Sequence, residues 1–237
     1  MAYISPRETF DRWLDERLMR LAPEAVESVR AACDAYDRIV ERGRIEEGDL
    51  QRIVEVARDA RRACWENAVD LLEVLTAEYP KAQDAVRAMA TDGKAHVRFA
   101  ALCCLGRQTP ASFARELLRE ALHDRSAKVR RKAASQAFQL RLTSMIDELQ
   151  SALERERDVA TIREMALCLP LLREGYHLEE KGEQVLVTVA LQPGGICGGF
   201  VTHEEFAVRG VEEIVREVQA RGVLGASRVS RDSGEAT

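Results

Sequence analysis

The sequence contains few aromatic residues, few glycines and few prolines. Aromatic side chains make up 5% of its 237 residues, and there are 14 glycines and 6 prolines. Alanine, leucine and valine carry the apolar content instead, a mixture that favours helices packed closely through small side chains. With 46% hydrophobic and 32% charged residues, the composition is that of an ordered, soluble protein.

Long apolar runs and secretion signals are also missing. A representative long apolar stretch, 185–191 (VLVTVAL), is far shorter than the about 20 residues of a membrane-spanning helix. The N-terminus has no basic region followed by an apolar one, and the six cysteines form no CxxC pair. We therefore expect a cytoplasmic protein without membrane contact, in which the cysteines are mostly small buried apolar residues.

Charge is distributed unevenly along the chain. The formal net charge is −5, yet residues 92–132 contain ten basic and four acidic side chains between acidic flanks. The overall acidity argues against general nucleic-acid affinity, because binding a phosphate backbone requires many cations. The basic middle could still attract an anionic partner.

A motif repeats in the middle of the chain at a nearly constant interval. It consists of Asp, a short gap, a β-branched residue followed by Arg, and Ala four positions after the β-branched residue. The three copies are DGKAHVRFAALCCLG (92–106), DRSAKVRRKAASQAF (124–138) and DVATIREMALCLPLL (158–172). The anchors Val97, Val129 and Ile162 are 32 and 33 residues apart, and a weaker copy begins at Asp59. Such a period predicts stacked helical units.

The apolar spacing predicts two helices in each unit. In the first unit, Val97 and Ala101 lie on one helical stripe that Gly106 ends. Thr109-Pro110 then begins the second helix. One pair of helices cannot bury both of its apolar faces, so neighbouring units are expected to stack.

This pattern resembles HEAT-like repeats, in the short bacterial form named after phycobilisome lyases, over about residues 59–173. The resemblance implies a curved α-solenoid of antiparallel helix pairs, in which Asp and Arg of the turns bond to neighbouring repeats. It implies a structural role for six repeat positions: Asp92, Arg98, Asp124, Arg130, Asp158 and Arg163. The third unit has a shorter gap after its Asp and contains Pro170, which is expected to interrupt its helix.

The fold class predicted for the whole chain is mainly α, with a small C-terminal β-hairpin followed by a helix. Residues 1–58 are predicted to form a helical cap, 59–175 the repeats, 176–225 the hairpin and helix, and 226–237 a disordered tail. The hairpin strands are predicted at 183–191 and 196–202, and the helix at 208–221. The segment 49–79 is compatible with one long helix or with two.

The candidate anion-binding patch consists of four basic residues without a counterpart in the repeats and two more on the preceding helix. Two are one turn apart on the second helix of the first unit, and the others surround the start of the next helix. They are Arg115, Arg119, Arg125, Lys128, Arg131 and Lys132. Such a patch could bind phosphate or an acidic protein surface.

No catalytic, metal-binding or cofactor motif stands out. A zinc-protease helix needs a second His four residues after His203, and that position is Ala207. The glycine-rich segment PGGICGG (193–199) matches neither common phosphate-binding loop. We therefore expect no catalytic residues, no metal and no cofactor.

The function predicted from these features is that of a non-catalytic scaffold or adaptor that binds another protein. The alternative is a nucleic-acid-binding protein that resembles HEAT-like DNA-alkylation-repair proteins and uses the basic central region. Bilin lyases resemble these repeats too, which makes chromophore attachment a third, weaker hypothesis.

Overall fold

The computed structural model describes residues 25–191 and 195–221. They form eleven α-helices, a short 3-10 helix and a three-stranded antiparallel sheet, which confirms the prediction of a mainly helical chain. None of the helices in these ranges is long and apolar enough to cross a membrane. Residues 1–24 of the predicted helical cap and the predicted disordered tail (226–237) lie outside the described residues.

The chain divides into two compact parts, 1–168 and 169–237. The described helices up to the division are α1 (Val26–Arg42), α2 (Glu47–Ala57), α3 (Arg62–Glu78), α4 (Pro80–Ala90), α5 (Ala95–Cys103), α6 (Ala111–Ala121), α7 (Ala127–Gln139), the 3-10 helix (Thr143–Met145), α8 (Ile146–Arg155) and α9 (Val159–Arg173), within which the division falls. The sequence placed a boundary at 175–176, and this point is where the first strand begins.

The ends of these helices follow from local sequence. Gly43 ends α1 in the left-handed conformation, with φ 64°, which glycine adopts without steric cost. Pro80 is the first residue of α4, where the missing N–H would have had no helical partner. The segment 49–79 contains two helices rather than one, because the chain turns at Asp59, whose carboxylate accepts the backbone N–H of Arg61 at 2.8 Å.

Helices of the first compact part (1–168) pack in alternation. Contacts join α1 to α3, α3 to α5 and α5 to α7, while α4 contacts α6. The alanines of the repeated motif, Ala101 and Ala133, are fully buried, as is Ala68 of the weaker copy. Because these side chains are small, the helices that carry them can lie close together.

The second compact part (169–237) contains β1 (Tyr176–Lys181), β2 (Gln184–Leu191), β3 (Gly195–Thr202), α10 (His203–Arg209) and α11 (Val211–Arg221). The strands lie in the order β1-β2-β3, and both pairings are antiparallel. Ile214 and Val218 of α11 form a core with the buried side chains of one sheet face: Val185, Val187, Val189 and Val201.

Three expectations for this part of the chain are wrong in detail. Strand β1 was not predicted, because half of its sequence YHLEEK is charged and its backbone is stabilised by pairing with β2. The helix predicted at 208–221 is two helices, separated by Gly210 with φ 72°. Helix α9 continues through Pro170 rather than being interrupted there.

One arginine joins the two short helices across Gly210. The guanidinium of Arg209 donates to Glu205 of α10 at 2.8 Å and to Glu213 of α11 at 2.9 Å. It also donates to Glu217 of α11. These ion pairs fix the end of α10 against α11.

Candidate functional site

A carboxylate begins each turn between successive units of the repeat. Each one accepts the backbone N–H of the residue two positions later, which fixes the turn before the next helix. The pairs are Asp59 with Arg61 at 2.8 Å, Asp92 with Lys94 at 2.7 Å, Asp124 with Ser126 at 2.7 Å and Glu156 with Asp158 at 3.0 Å. The intervals between these carboxylates, which we call the repeat interval, are 33, 32 and 32 residues.

Two of these carboxylates bind an arginine of the preceding unit through paired hydrogen bonds. Arg98 donates to Asp124 at 2.6 and 2.8 Å, and its third nitrogen donates to the carbonyl of Asp92 at 2.8 Å. Arg130 donates twice to Glu156, both at 2.6 Å, and to the carbonyl of Asp124 at 2.7 Å. The same three bonds therefore recur one repeat interval further along the chain.

The pKa values of these acids follow from that pairing. Burial alone would raise the pKa of Asp124, but the hydrogen bond from Arg98 holds it below its usual value. The hydrogen bonds from Arg130 lower the pKa of Glu156 to about 2. Both carboxylates are thus fixed in their charged form at neutral pH.

The third unit is shifted by one residue from the predicted register. The sequence placed Asp158, Ile162, Arg163 and Ala166 at the repeat positions, whereas the carboxylate that Arg130 binds is that of Glu156. The position of Val129 is instead taken by Thr161, which is fully buried, and that of Ala133 by Met165. The hydroxyl of Thr161 donates to Asp158 at 2.7 Å, so that Asp158 stabilises the start of α9.

Arg163 consequently does not occupy the position of Arg98 and Arg130. Its side chain is exposed. Within residues 25–191 and 195–221, no hydrogen bond or ion pair joins it to another side chain. The residue one repeat interval after Arg130 is Ile162, so the series of turn arginines ends with the second unit.

A second ion pair, which the sequence analysis missed, recurs at the same interval. Arg87 of α4 donates to Glu116 of α6 at 3.1 Å, and Arg119 of α6 donates to Glu148 of α8 at 2.9 Å. Each pair spans 29 residues, and the second lies one repeat interval after the first. The signal was present in the sequence as charged positions repeated at the period of the motif.

The six residues of the predicted anion-binding patch lie in different local surroundings. Arg119 is bound to Glu148, and Arg115 lies near the same carboxylate. Arg125 donates to the carbonyl of Gly93. Arg131 lies near Asp158, and Lys128 and Lys132 extend from α7 toward α5. The structure therefore does not group these six side chains as one set of unpaired cations.

Lys128 and Lys132 belong to a surface formed by the first helices of three units. The ring of Trp65 on α3 meets the ring of Phe99 on α5 edge-on, with centroids 5.9 Å apart. The ammonium of Lys128 on α7 lies 4.4 Å from the centroid of Phe99, a cation–π contact. We call this the α3–α5–α7 surface and define it by eight side chains: Trp65, Glu66, Asp70, Glu73, Phe99, Cys103, Lys128 and Lys132.

Acidic residues of α3 line one side of this surface. Glu66, Asp70 and Glu73 follow one another at helical spacing, so they lie on one face of α3. Although Asp70 reaches solvent, surrounding protein atoms remove enough water to raise its pKa to about 6, and repulsion from Glu73 and Glu66 adds to the shift. No cation in the described part of the chain forms an ion pair with Asp70.

The carboxylate of Glu73 and the thiol of Cys103, unlike Asp70, have cations nearby that partly offset the effect of burial on their pKa values. Burial raises the pKa of Glu73, an effect that Lys132 and Arg107 partly offset. Burial likewise raises the pKa of the Cys103 thiol despite a hydrogen bond with Lys132. A thiol in this state is a weak nucleophile at neutral pH.

In the ranges 25–191 and 195–221, no group of three or more His, Cys, Asp or Glu residues is arranged to hold a metal ion. The nitrogen Nε2 of His203 lies 3.1 Å from the carbonyl oxygen of Gly182 and 3.2 Å from Glu180. These two contacts link the start of α10 to the turn between β1 and β2.

The chain was also compared with known proteins. No protein-family model, curated protein or solved structure matches it.

Proposed function

We propose that this protein is a non-catalytic, HEAT-like interaction protein of the bacterial cytoplasm that binds another protein through the α3–α5–α7 surface. Two observations support a stack of repeated units. The ion pairs of the turns and of the second helices recur at the repeat interval. The first helices contact one another in the series α3, α5 and α7. Repeat stacks of this kind bind their partners through such series of equivalent helices.

The environment of Asp70 carries the proposal for the binding surface. Its carboxylate is partly desolvated, is repelled by Glu66 and Glu73, and has no cation paired with it in the described part of the chain. A lysine or arginine of a partner would relieve that repulsion, so binding would be favoured by a charge that the described residues leave uncompensated.

Aromatic and apolar groups on the same helices would supply the contact area. The rings of Trp65 and Phe99 are half-buried, and Val74, one turn after Asp70 on α3, is 44% exposed. Aromatic residues are enriched at the centres of protein interfaces because they bury a large area with few rotatable bonds. The surface thus combines an apolar region with an acidic row, and it would suit a protein partner that presents apolar and basic side chains.

The nucleic-acid alternative receives less support from the same geometry. The surface that carries Lys128 and Lys132 also carries three carboxylates, which would repel a phosphate backbone. Outside this surface, Arg119 is already bound to Glu148.

Affinity capture from the native organism with charge-reversed variants tests the proposal. Wild-type chain, the variant Asp70→Lys/Lys128→Glu and the control Glu120→Lys, which alters an exposed residue of α6, would be compared by quantitative mass spectrometry after nuclease treatment. We expect at least one protein to be retained by the wild type and the control and lost with the double variant. Equal retention by all three chains would contradict the proposal, and nuclease-sensitive retention would favour the nucleic-acid alternative.

A further inference from the structure

The outer edge of strand β3 has the properties of a strand-pairing site. The sheet order is β1-β2-β3, so β3 pairs with β2 on one side only. Within residues 25–191 and 195–221, no strand lies against its other edge. The backbone N–H and C=O groups of an edge strand are a ready template for another strand.

The two edges of the sheet differ in their charge. Strand β1, at the opposite edge, carries Glu179, Glu180 and Lys181, all exposed. Charged side chains of this kind keep an edge from pairing with other chains. Strand β3 (GICGGFVT) contains no charged residue in eight positions and no proline. Of the two edge strands, only β3 therefore lacks charged residues and proline.

Exposed apolar side chains mark one face of β3. Ile196 is 51% exposed and Phe200 is 55% exposed. They are four residues apart, so they lie on the same face of the sheet, with Gly198 between them. The opposite face of the strand is covered, because Val201 belongs to the core formed with α11.

Helix α10 does not fill this edge. It contacts both β2 and β3, and its Phe206 packs against the core that includes Val185 and Val187. The helix therefore lies over a sheet face rather than beside the outer edge of β3.

We propose that β3 pairs with β3 of a second copy of this chain, so that two three-stranded sheets join into one six-stranded antiparallel sheet. The sequence of the strand is self-complementary for this arrangement. With Gly198 opposite Gly198 of the second copy, each Ile196 lies opposite a Phe200 on the same face. A β-branched residue opposite an aromatic residue is a favourable cross-strand pair, and a two-fold axis makes it twice.

The absence of charge favours the β3 edge over the β1 edge, and the Ile196–Phe200 pairing favours a second copy as the occupant. Two uncharged β3 strands meet without repulsion, whereas pairing between two β1 strands would bring several carboxylates together. The shared edge would be about 26 Å long, for eight residues at about 3.3 Å each. One strand pair buries much less than the about 1,600 Å² of a standard interface, so the dimer is weak and depends on concentration. This inference does not rest on the proposed protein-binding function.

Sedimentation equilibrium of the full chain over a range of concentrations tests the inference. For the wild type we expect a mass that rises from 26.5 kDa toward twice that value. The variants Ile196→Lys/Phe200→Lys and Ile196→Glu/Phe200→Glu should each remain monomeric, because like charges then lie opposite each other. An equal mixture of the two should regain the dimer, because each Lys would lie opposite a Glu. The control Val208→Lys, at a position of α10 that is 81% exposed, should dimerise like the wild type.

Circular dichroism would verify that each variant keeps its secondary structure. The milder variant Phe200→Thr keeps a good strand former and should raise the dissociation constant about tenfold; it serves if the charged variants fail to fold. A wild-type chain that stays monomeric overturns the inference and would leave this edge to a strand of a different protein. Dimers that persist in both charged variants, or folded variants that fail to associate when mixed, also overturn it.

Discussion

Arg98 and Asp124 lie 26 residues apart in the chain, yet two hydrogen bonds of 2.6 and 2.8 Å join their side chains. Both are nearly enclosed, with 7% of the arginine and 10% of the aspartate side chain exposed. The same arrangement recurs one repeat interval later between Arg130 and Glu156. These bonds tie the start of one unit to the turn before the next, which makes the turns the link between sequence repeat and helix packing.

Removal of Arg98 should be strongly destabilising. The substitution Arg98→Met leaves the carboxylate of Asp124 enclosed without a partner, and such a loss costs about 3–5 kcal/mol. Arg98→Lys should cost less but still destabilise, because an ammonium cannot reproduce the paired geometry of a guanidinium. Chemical denaturation at neutral pH would measure both free energies of unfolding.

Arg163→Met is the matched control for this series. Arg163 is exposed and pairs with no side chain of the described residues, so we expect a change within about 0.5 kcal/mol. Equal losses for Arg98→Met and Arg163→Met would contradict the register that the structure gives to the third unit.

Glu156 should contribute stability that acid removes. Its pKa is lowered to about 2 in the folded chain from the ordinary value of 4.5, so the folded state binds the proton less readily than the unfolded state. The contribution is complete above about pH 4.5 and is lost as pH falls toward 2. Glu156→Gln should therefore reduce the free energy of unfolding by about 2–3 kcal/mol at pH 7, with a difference from the wild type that shrinks below pH 4.5. A constant difference across that range would show that Glu156 is not held in its charged form.

Neighbouring residues of α9 separate the two possible registers of the third unit. Met165 is 1% exposed and Ala166 is half-buried. We expect Met165→Ala to cost about 2–5 kcal/mol by leaving a cavity, and Ala166→Ser to change the free energy of unfolding by less than about 1 kcal/mol. Thermal unfolding of the two variants would measure this, and the reverse order would restore the register predicted from Ile162 and Ala166.

Asp70 should lower the stability of the free protein. Its folded pKa of about 6 lies above the ordinary 3.8, so the folded state retains the proton more readily, and this group costs stability as pH rises from about 4 to 6. The full shift would correspond to roughly 3 kcal/mol, but solvent at the exposed carboxylate screens the repulsion, and we expect Asp70→Asn to add about 1 kcal/mol at pH 7. Denaturation at pH 4 and pH 7 would test this, with Glu120→Gln as the control. An advantage that is the same at both pH values would contradict the account of Asp70.

The helices that follow Asp92 and Asp124 could be predicted from the sequence because their anchors obey one rule. Val97 and Val129 are 32 residues apart, each follows its Asp by five positions, and both are buried. The register of the third repeat was predicted wrongly, because Ile162-Arg163 matches the motif but lies one residue after the corresponding position in the structure. The anchor in the structure is Thr161, a polar residue that can be buried because its hydroxyl donates to Asp158 at 2.7 Å, with the carbonyl oxygen of Ala127 at 3.2 Å as an alternative acceptor. The bond with Asp158 is local, but the burial of Thr161 beside Ala127, 34 residues away in the chain, is a tertiary contact, which the spacing of residues does not encode.

The candidate site was harder to predict than the fold. The basic residues drew attention because they form a charge run, but Arg119 is neutralised by Glu148, 29 residues away in the chain. The acidic row on α3 reads in the sequence as an ordinary solvated helix face. Only the packing of α5 and α7 beside α3 shows that Asp70 is partly desolvated while Glu73 has Lys132 close by.

Site-specific photo-crosslinking in the native cells would detect the proposed contact between the α3–α5–α7 surface and a partner protein at individual side chains. A photoreactive amino acid would replace Asp70, Lys128 or, as the control on α6, Glu120, each in a separate strain. We predict that the chains labelled at 70 and 128 yield the same crosslinked protein and that the chain labelled at 120 does not. No adduct at 70 and 128, or the same adducts at all three positions, would contradict the claim.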